Sequence, residues 1–117
     1  MTVSNKEVAQ ALRAAGAYVD EHGLAKNKLH DPKTGAVCTT GALGIVTGAL
    51  LLNPEMIDGI VFGPIECDKV FSAGLDALDA NLGYSFLAFN NDPATTQQDV
   101  VKNFYQTADK VEVSADN

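Results

Sequence analysis

The sequence predicts a mostly α-helical single domain of about four main helices around a glycine-rich central helix, with one small β-hairpin near residues 26–38. Three observations predict it. Apolar residues recur at helical spacing near both ends, a charge-free run rich in glycine fills the middle, and only Asp31–Gly35 carries a hairpin's turn chemistry. A chain of 117 residues, 46% hydrophobic and 20% charged, is the size of one domain. Such a chain buries roughly two-thirds of its unfolded surface and needs no disulfide or metal to fold.

The first helix has the clearest start. Ser4 and Glu7 are spaced as a capping box, with Val3 and Val8 placed to close a hydrophobic staple around it. Val8, Ala11, Leu12, Ala15 and Val19 then form one apolar stripe, and Gly23 ends the helix with His22 in its last turn. Next, Asp31-Pro-Lys-Thr-Gly35 supplies Asp, Pro and Gly where a type I turn with a bulge wants them. Its flanks, Lys26–His30 and Ala36–Cys38, are long enough for a small hairpin.

A second helix is expected from Thr39 or Thr40 to Leu52, stopped by Asn53-Pro54. Gly41, Gly44 and Gly48 cost helix propensity and imply close approach of other backbones, hence a central place. The run lacks the spacing of a phosphate-binding glycine loop. Ala36–Asn53 holds no charge, but it is short and lacks aromatic and strongly basic flanks, so it reads as a buried helix and not a membrane span.

Asn53–Pro64 reads as a connection. Met56, Ile57, Ile60, Val61 and Phe62 are expected to fold back onto the core; left exposed, they would be a partner-binding surface. A third helix is expected over Glu66–Leu82 and a short turn over Ser85–Phe89. A last helix would start at Asp92, or at Thr95 in a box with Gln98, and bury Val100, Val101, Phe104, Ala108 and Val111. The compact domain is expected over 1–111, with a frayed polar tail over 112–117.

Eight Lys and Arg stand against 15 Asp and Glu, a net charge of −7. Residues 55–99 hold eight acids against Lys69 alone, whereas residues 1–54 hold four acids and five bases. Phosphate would repel such a chain, so no direct nucleic-acid or membrane binding is expected. No aromatic residues are interleaved with basic ones for base stacking. Lys26, Lys28, Lys33 and His30 make a small basic segment. The N-terminal stretch lacks the apolar core of a signal peptide, and two cysteines make no disulfide framework, so a cytoplasmic address with free thiols is expected.

Two function classes follow. In one, Cys38 is a nucleophile, His30 across the turn its base, and Asn91 or Asp92 the orienting group. A place at the start of the second helix would lower the thiol's pKa. Against this, Cys38 sits among small apolar and hydroxyl neighbours, as a buried structural cysteine does. In the preferred class the protein is a small interaction module that meets a protein partner through its acidic face, with Glu66, Asp68, Asp76 and Asp79 as the contact. Asp76 and Asp79 read otherwise as the wet face of their helix, and Asn90, Asn91 and Asp92 as local turn formers and a helix cap. His22, His30, Cys38 and Cys67 have no metal-ligand spacing, and no metal or cofactor is expected.

The segments HGLAKNKLHDPKTGAVCTTGAL and FLAFNNDPATTQQDVVKNF resemble a family of small uncharacterised proteins of actinobacteria and their phages. Cys38, Gly41, Ala42 and Leu43 match its Cys-x-x-Gly-Ala-Leu element, and Asn91-Asp92 match a late Asn-Asp element. Leu24 and Asn90 stand where that family has tryptophan. The resemblance implies a fold and an actinobacterial or phage source; in the interaction reading, the expected partner of a phage-encoded chain is a host protein. It implies no activity.

Overall fold

The computed structural model describes residues 3–115, with side chains to Val113. Among the described residues, five helices, one 3-10 turn and one two-stranded sheet follow in order: α1 (Asn5–His22), α2 (Thr39–Thr47), β1 (Leu50–Leu52), β2 (Ile60–Phe62), the turn Ile65–Cys67, α3 (Asp68–Leu82), α4 (Phe86–Asn91) and α5 (Gln97–Ala115). The mostly helical class and the single small hairpin stand as expected.

α1 is built as its sequence dictates. The Ser4 hydroxyl accepts the Glu7 N–H at 3.1 Å, and Glu7 Oε1 accepts the Ser4 N–H at 3.5 Å. Val8, Leu12, Ala15 and Val19 are buried, with Val3 packed against them. α1 packs on α5, α2 and α3, and α2 touches α1, α3, α4 and β1. Phe104, Leu12, Leu43, Leu78 and Val37 fill the core between them.

The hairpin lies elsewhere than 26–38. Asp31–Gly35 does turn, with the Gly35 N–H donating to the Asp31 carbonyl at 2.8 Å and Gly35 at φ +82°. Its flanks make only isolated bridges: Val37 meets Leu24 in parallel and His30 antiparallel. The segment before the turn cannot extend because it closes on Val37 from both sides. The Val37 N–H reaches the Gly23 carbonyl at 3.1 Å, and the Cys38 N–H reaches the Leu29 carbonyl at 3.2 Å. Asn27, at φ 64°, reverses the chain between these contacts.

The sheet instead pairs Leu50 with Phe62 and Leu52 with Ile60, antiparallel, across the connection 53–59. The expected second helix is correspondingly short, because Gly48 takes the left-handed conformation and ends it after Thr47. The expected third helix begins as a 3-10 turn and becomes regular only at Asp68. The turn Ser85–Phe89 is a helix, α4, whose first amides are received by the Ser85 hydroxyl.

The final helix is capped at neither of the expected residues, Asp92 and Thr95, but at the next one, by reciprocal bonds between Thr96 and Asp99. Thr95 is unavailable. It is buried, gives its N–H to the Asp92 carbonyl, and offers its own carbonyl to Lys26 Nζ at 2.6 Å. The final helix continues to Ala115, and Glu112 lies 2.7 Å from the Arg13 guanidinium; residues 116–117 of the expected tail lie outside the described residues.

Candidate functional site

Cys38 is the N-cap of α2. Its sulfur accepts the Gly41 N–H at 3.3 Å, and the residue is 4% exposed. Thr39, next in line, is one of the first-turn residues whose amides have no partner inside the helix. Asn90 supplies that partner from α4: its Oδ1 accepts both the Thr39 N–H at 2.9 Å and the Thr39 hydroxyl at 2.8 Å. Its Nδ2 donates to the Ala25 carbonyl at 3.1 Å. Asn90 is fully buried and joins three chain segments, so it is a long-range tether and not the local turn former expected of it.

A cleft of about 330 Å³ opens beside this junction, lined by Lys28, Leu29, Cys38, Thr40, Leu87 and Asn91 among others. Cys38 and Asn91 therefore share a cleft, while His30 and Asp92 do not line it. The His30 ring nitrogen Nδ1 lies 2.8 Å from the Asp58 carbonyl oxygen, which ties this buried histidine to the hairpin. Asn91 Oδ1 accepts the Asn27 N–H at 2.8 Å, and Asp92 Oδ1 accepts the Ala94 N–H at 2.8 Å.

No hydrogen bond among the described residues joins the Cys38 thiol to His30. Burial pushes that thiol up from its ordinary pKa and outweighs the downward pull of the Gly41 and Thr40 hydrogen bonds. The expected lowering by the helix start is thus reversed. Cys38 behaves as a helix cap held in its neutral form. Alkylation of the native protein at about pH 8 is expected to modify half-buried Cys67 first and to leave Cys38 intact until unfolding. Rapid native labelling of Cys38, read by mass spectrometry, would restore the nucleophile reading.

Among the described residues no three His, Cys, Asp or Glu side chains gather as metal ligands do, and no helix is long and apolar enough to cross a membrane. His22, one of the four considered for a metal, stacks on Tyr18 with ring centroids 4.1 Å apart.

The acidic positions divide. Glu66 on the 3-10 turn and Asp68 at the start of α3 are exposed, as is Asp76. Asp79 is half-buried, and its Oδ1 accepts the Phe86 N–H at 2.7 Å, which fixes the start of α4. Asp79 is held inside the fold by that bond.

Beside Glu66 and Asp68 in sequence stands the hairpin, and its apolar residues do not all fold back. Ile60 is buried, but Ile57 is 97% exposed, Phe62 89% and Ile65 78%; Leu51, Leu52 and Met56 are also exposed. Sequence reasoning named Met56, Ile57 and Phe62 as a surface if exposed, and missed Leu51, Leu52 and Ile65. Leu51 and Leu52 read as the buried end of a helix. A Gly48 helix stop followed by the Asp58-Gly59 turn signal would have marked them as a strand.

The fold and these surfaces define a small α-helical domain with an internally tied helix junction and an apolar hairpin on its outside. The chain matches the family of unknown function DUF6197 over residues 3–110, and it belongs to that family. No curated protein matches it, and no solved structure does.

Proposed function

We propose that the protein is a small acidic protein–protein interaction module whose contact is the hairpin of β1 and β2, continued by Ile65, Glu66 and Asp68. The observation that carries this reading is the cluster of exposed apolar side chains on one hairpin, Ile57 and Phe62 above all. So many exposed apolar side chains gathered on one short segment are uncommon on a protein that acts alone, whereas single scattered ones would mean nothing. Of the acidic residues, Glu66 and Asp68 adjoin the hairpin in the chain and Asp76 lies on the exposed side of α3. Through the resemblance to actinobacterial and phage chains, a host protein in the cytoplasm is the partner to seek.

The test is affinity capture from such a lysate with the native chain and with an Ile57→Ser, Phe62→Ser variant. Both side chains are in solvent, so the variant is expected to melt within about 0.5 kcal/mol of the parent. A protein captured by the parent and lost by the variant supports the reading. Equal recovery on both, or on neither, removes it.

A further inference from the structure

Taking the hairpin as the contact, so that the assignment rests on the proposed interaction function, we infer that it receives a basic segment of another protein. One bulky apolar side chain of that segment sits in a notch beside Phe62, and a neighbouring Lys or Arg meets Asp68 and Glu66.

The notch has a volume of about 270 Å³, and its lining includes Leu29, Leu50, Phe62, Phe71 and Asp68. Leu50 and Phe62 are directly opposed across the sheet, so their side chains stand on the same face. Leu50 is buried and makes a floor; Phe62 is exposed and makes a wall. The space is below the ~300–1,000 Å³ of small-molecule sites, and matches an anchoring side chain better than a cofactor. Apolar anchors of this kind carry most of the energy of protein interfaces.

The charge selects the partner. Residues 50–69 contain Glu55, Asp58, Glu66 and Asp68 against Lys69, a net charge of −3. Asp68 lines the notch itself, so a cation placed next to the anchor gains an opposite charge at the same spot. Two copies of this chain set face to face would bring these carboxylates together, and an anionic bilayer would repel them. Both occupants are disfavoured against a basic protein segment.

A peptide-display selection on the immobilised full chain tests this. The expected binders carry one Leu, Ile, Met or Phe with Lys or Arg close by. For a fluorescently labelled binder, Phe62→Ala should weaken affinity about 30-fold, the loss typical of an anchor. Asp68→Asn with Glu66→Gln should weaken it about fivefold, with a matching loss as salt is raised. Binders that are uncharged or acidic, yet lost on Phe62→Ala, would overturn the basic partner while leaving the hairpin as the contact. Binders indifferent to Phe62→Ala and Ile57→Ser, or no binders, would overturn both. Self-association of the chain, or binding to phosphatidylcholine vesicles, that disappears in Phe62→Ala would assign the notch to a second copy or to a bilayer and end the proposal.

Discussion

Replacing Asn90 with alanine lowers the unfolding free energy by about 4 kcal/mol, near the upper end of single-residue effects. The change leaves the Thr39 N–H, the Thr39 hydroxyl and the Ala25 carbonyl without Asn90 as their partner, all in the interior. Each such orphan costs about 1–3 kcal/mol because water cannot replace the lost bond. Denaturant melts measure the total, and amide exchange localises it. The Thr39 amide should exchange much faster in the variant, while amides in the middle of α5 slow or quicken only with global stability. Asn91→Ala is the comparison: it removes the acceptor of the exposed Asn27 N–H, where water can step in, and one of two acceptors of Asn90 Nδ2, which keeps the Ala25 carbonyl, so it should cost about 1–2 kcal/mol. Similar losses from the two variants would contradict the tether.

Gly41→Ala ranks with it, for a different reason. A Cβ at Gly41 would lie 2.0 Å from the Leu29 carbonyl oxygen, a main-chain atom that cannot swing aside. That carbonyl receives the Cys38 N–H, so any shift that relieves the clash also strains the bond beside the α2 cap. Overpacking against backbone is expected to cost about 3 kcal/mol or more, a fall in Tm of about 10 °C. Gly83→Ala separates sterics from backbone conformation. Gly83 has φ +80° and open space around it, so its cost should be about 1 kcal/mol from conformation alone. A small effect at Gly41 would show that the loop over Leu29 is not seated where the structure puts it.

The sequence made local features legible and long-range ones not. The Ser4–Glu7 box, the α1 stripe and the Asp31–Gly35 turn are all written within a few residues, and all appear. The strand pair was hidden because Leu50-Leu51-Leu52 satisfies a buried helix and a short strand equally well; only Gly48's left-handed backbone decides between them. Asn90 was hidden more deeply. A run of Asn-Asn-Asp before proline has a sufficient local explanation, and its true partners lie 51 and 65 residues away. Cys38 was legible in part: its small apolar neighbours pointed to the buried cysteine that is found, while the helix start and the burial push its thiol in opposite directions and only the depth of burial decides between them. The hairpin surface was half legible, since its apolar residues were named while their exposure depended on a fold not yet built.

The packing of α1 against α5 has a bearing on how the chain is made. The apolar stripe of α1 finds most of its cover in α5, a helix distant in sequence, with Gly16 brought against Phe104 and Arg13 reaching Asp109 and Glu112. During synthesis α1 therefore emerges with its sticky side bare, and α2 and α3 cover only part of it before α5 forms. Such distant partners make folding slower than in a bundle of neighbouring hairpins. For that interval the growing chain is exposed to aggregation, and a chaperone that shields the α1 stripe would raise the yield of folded protein.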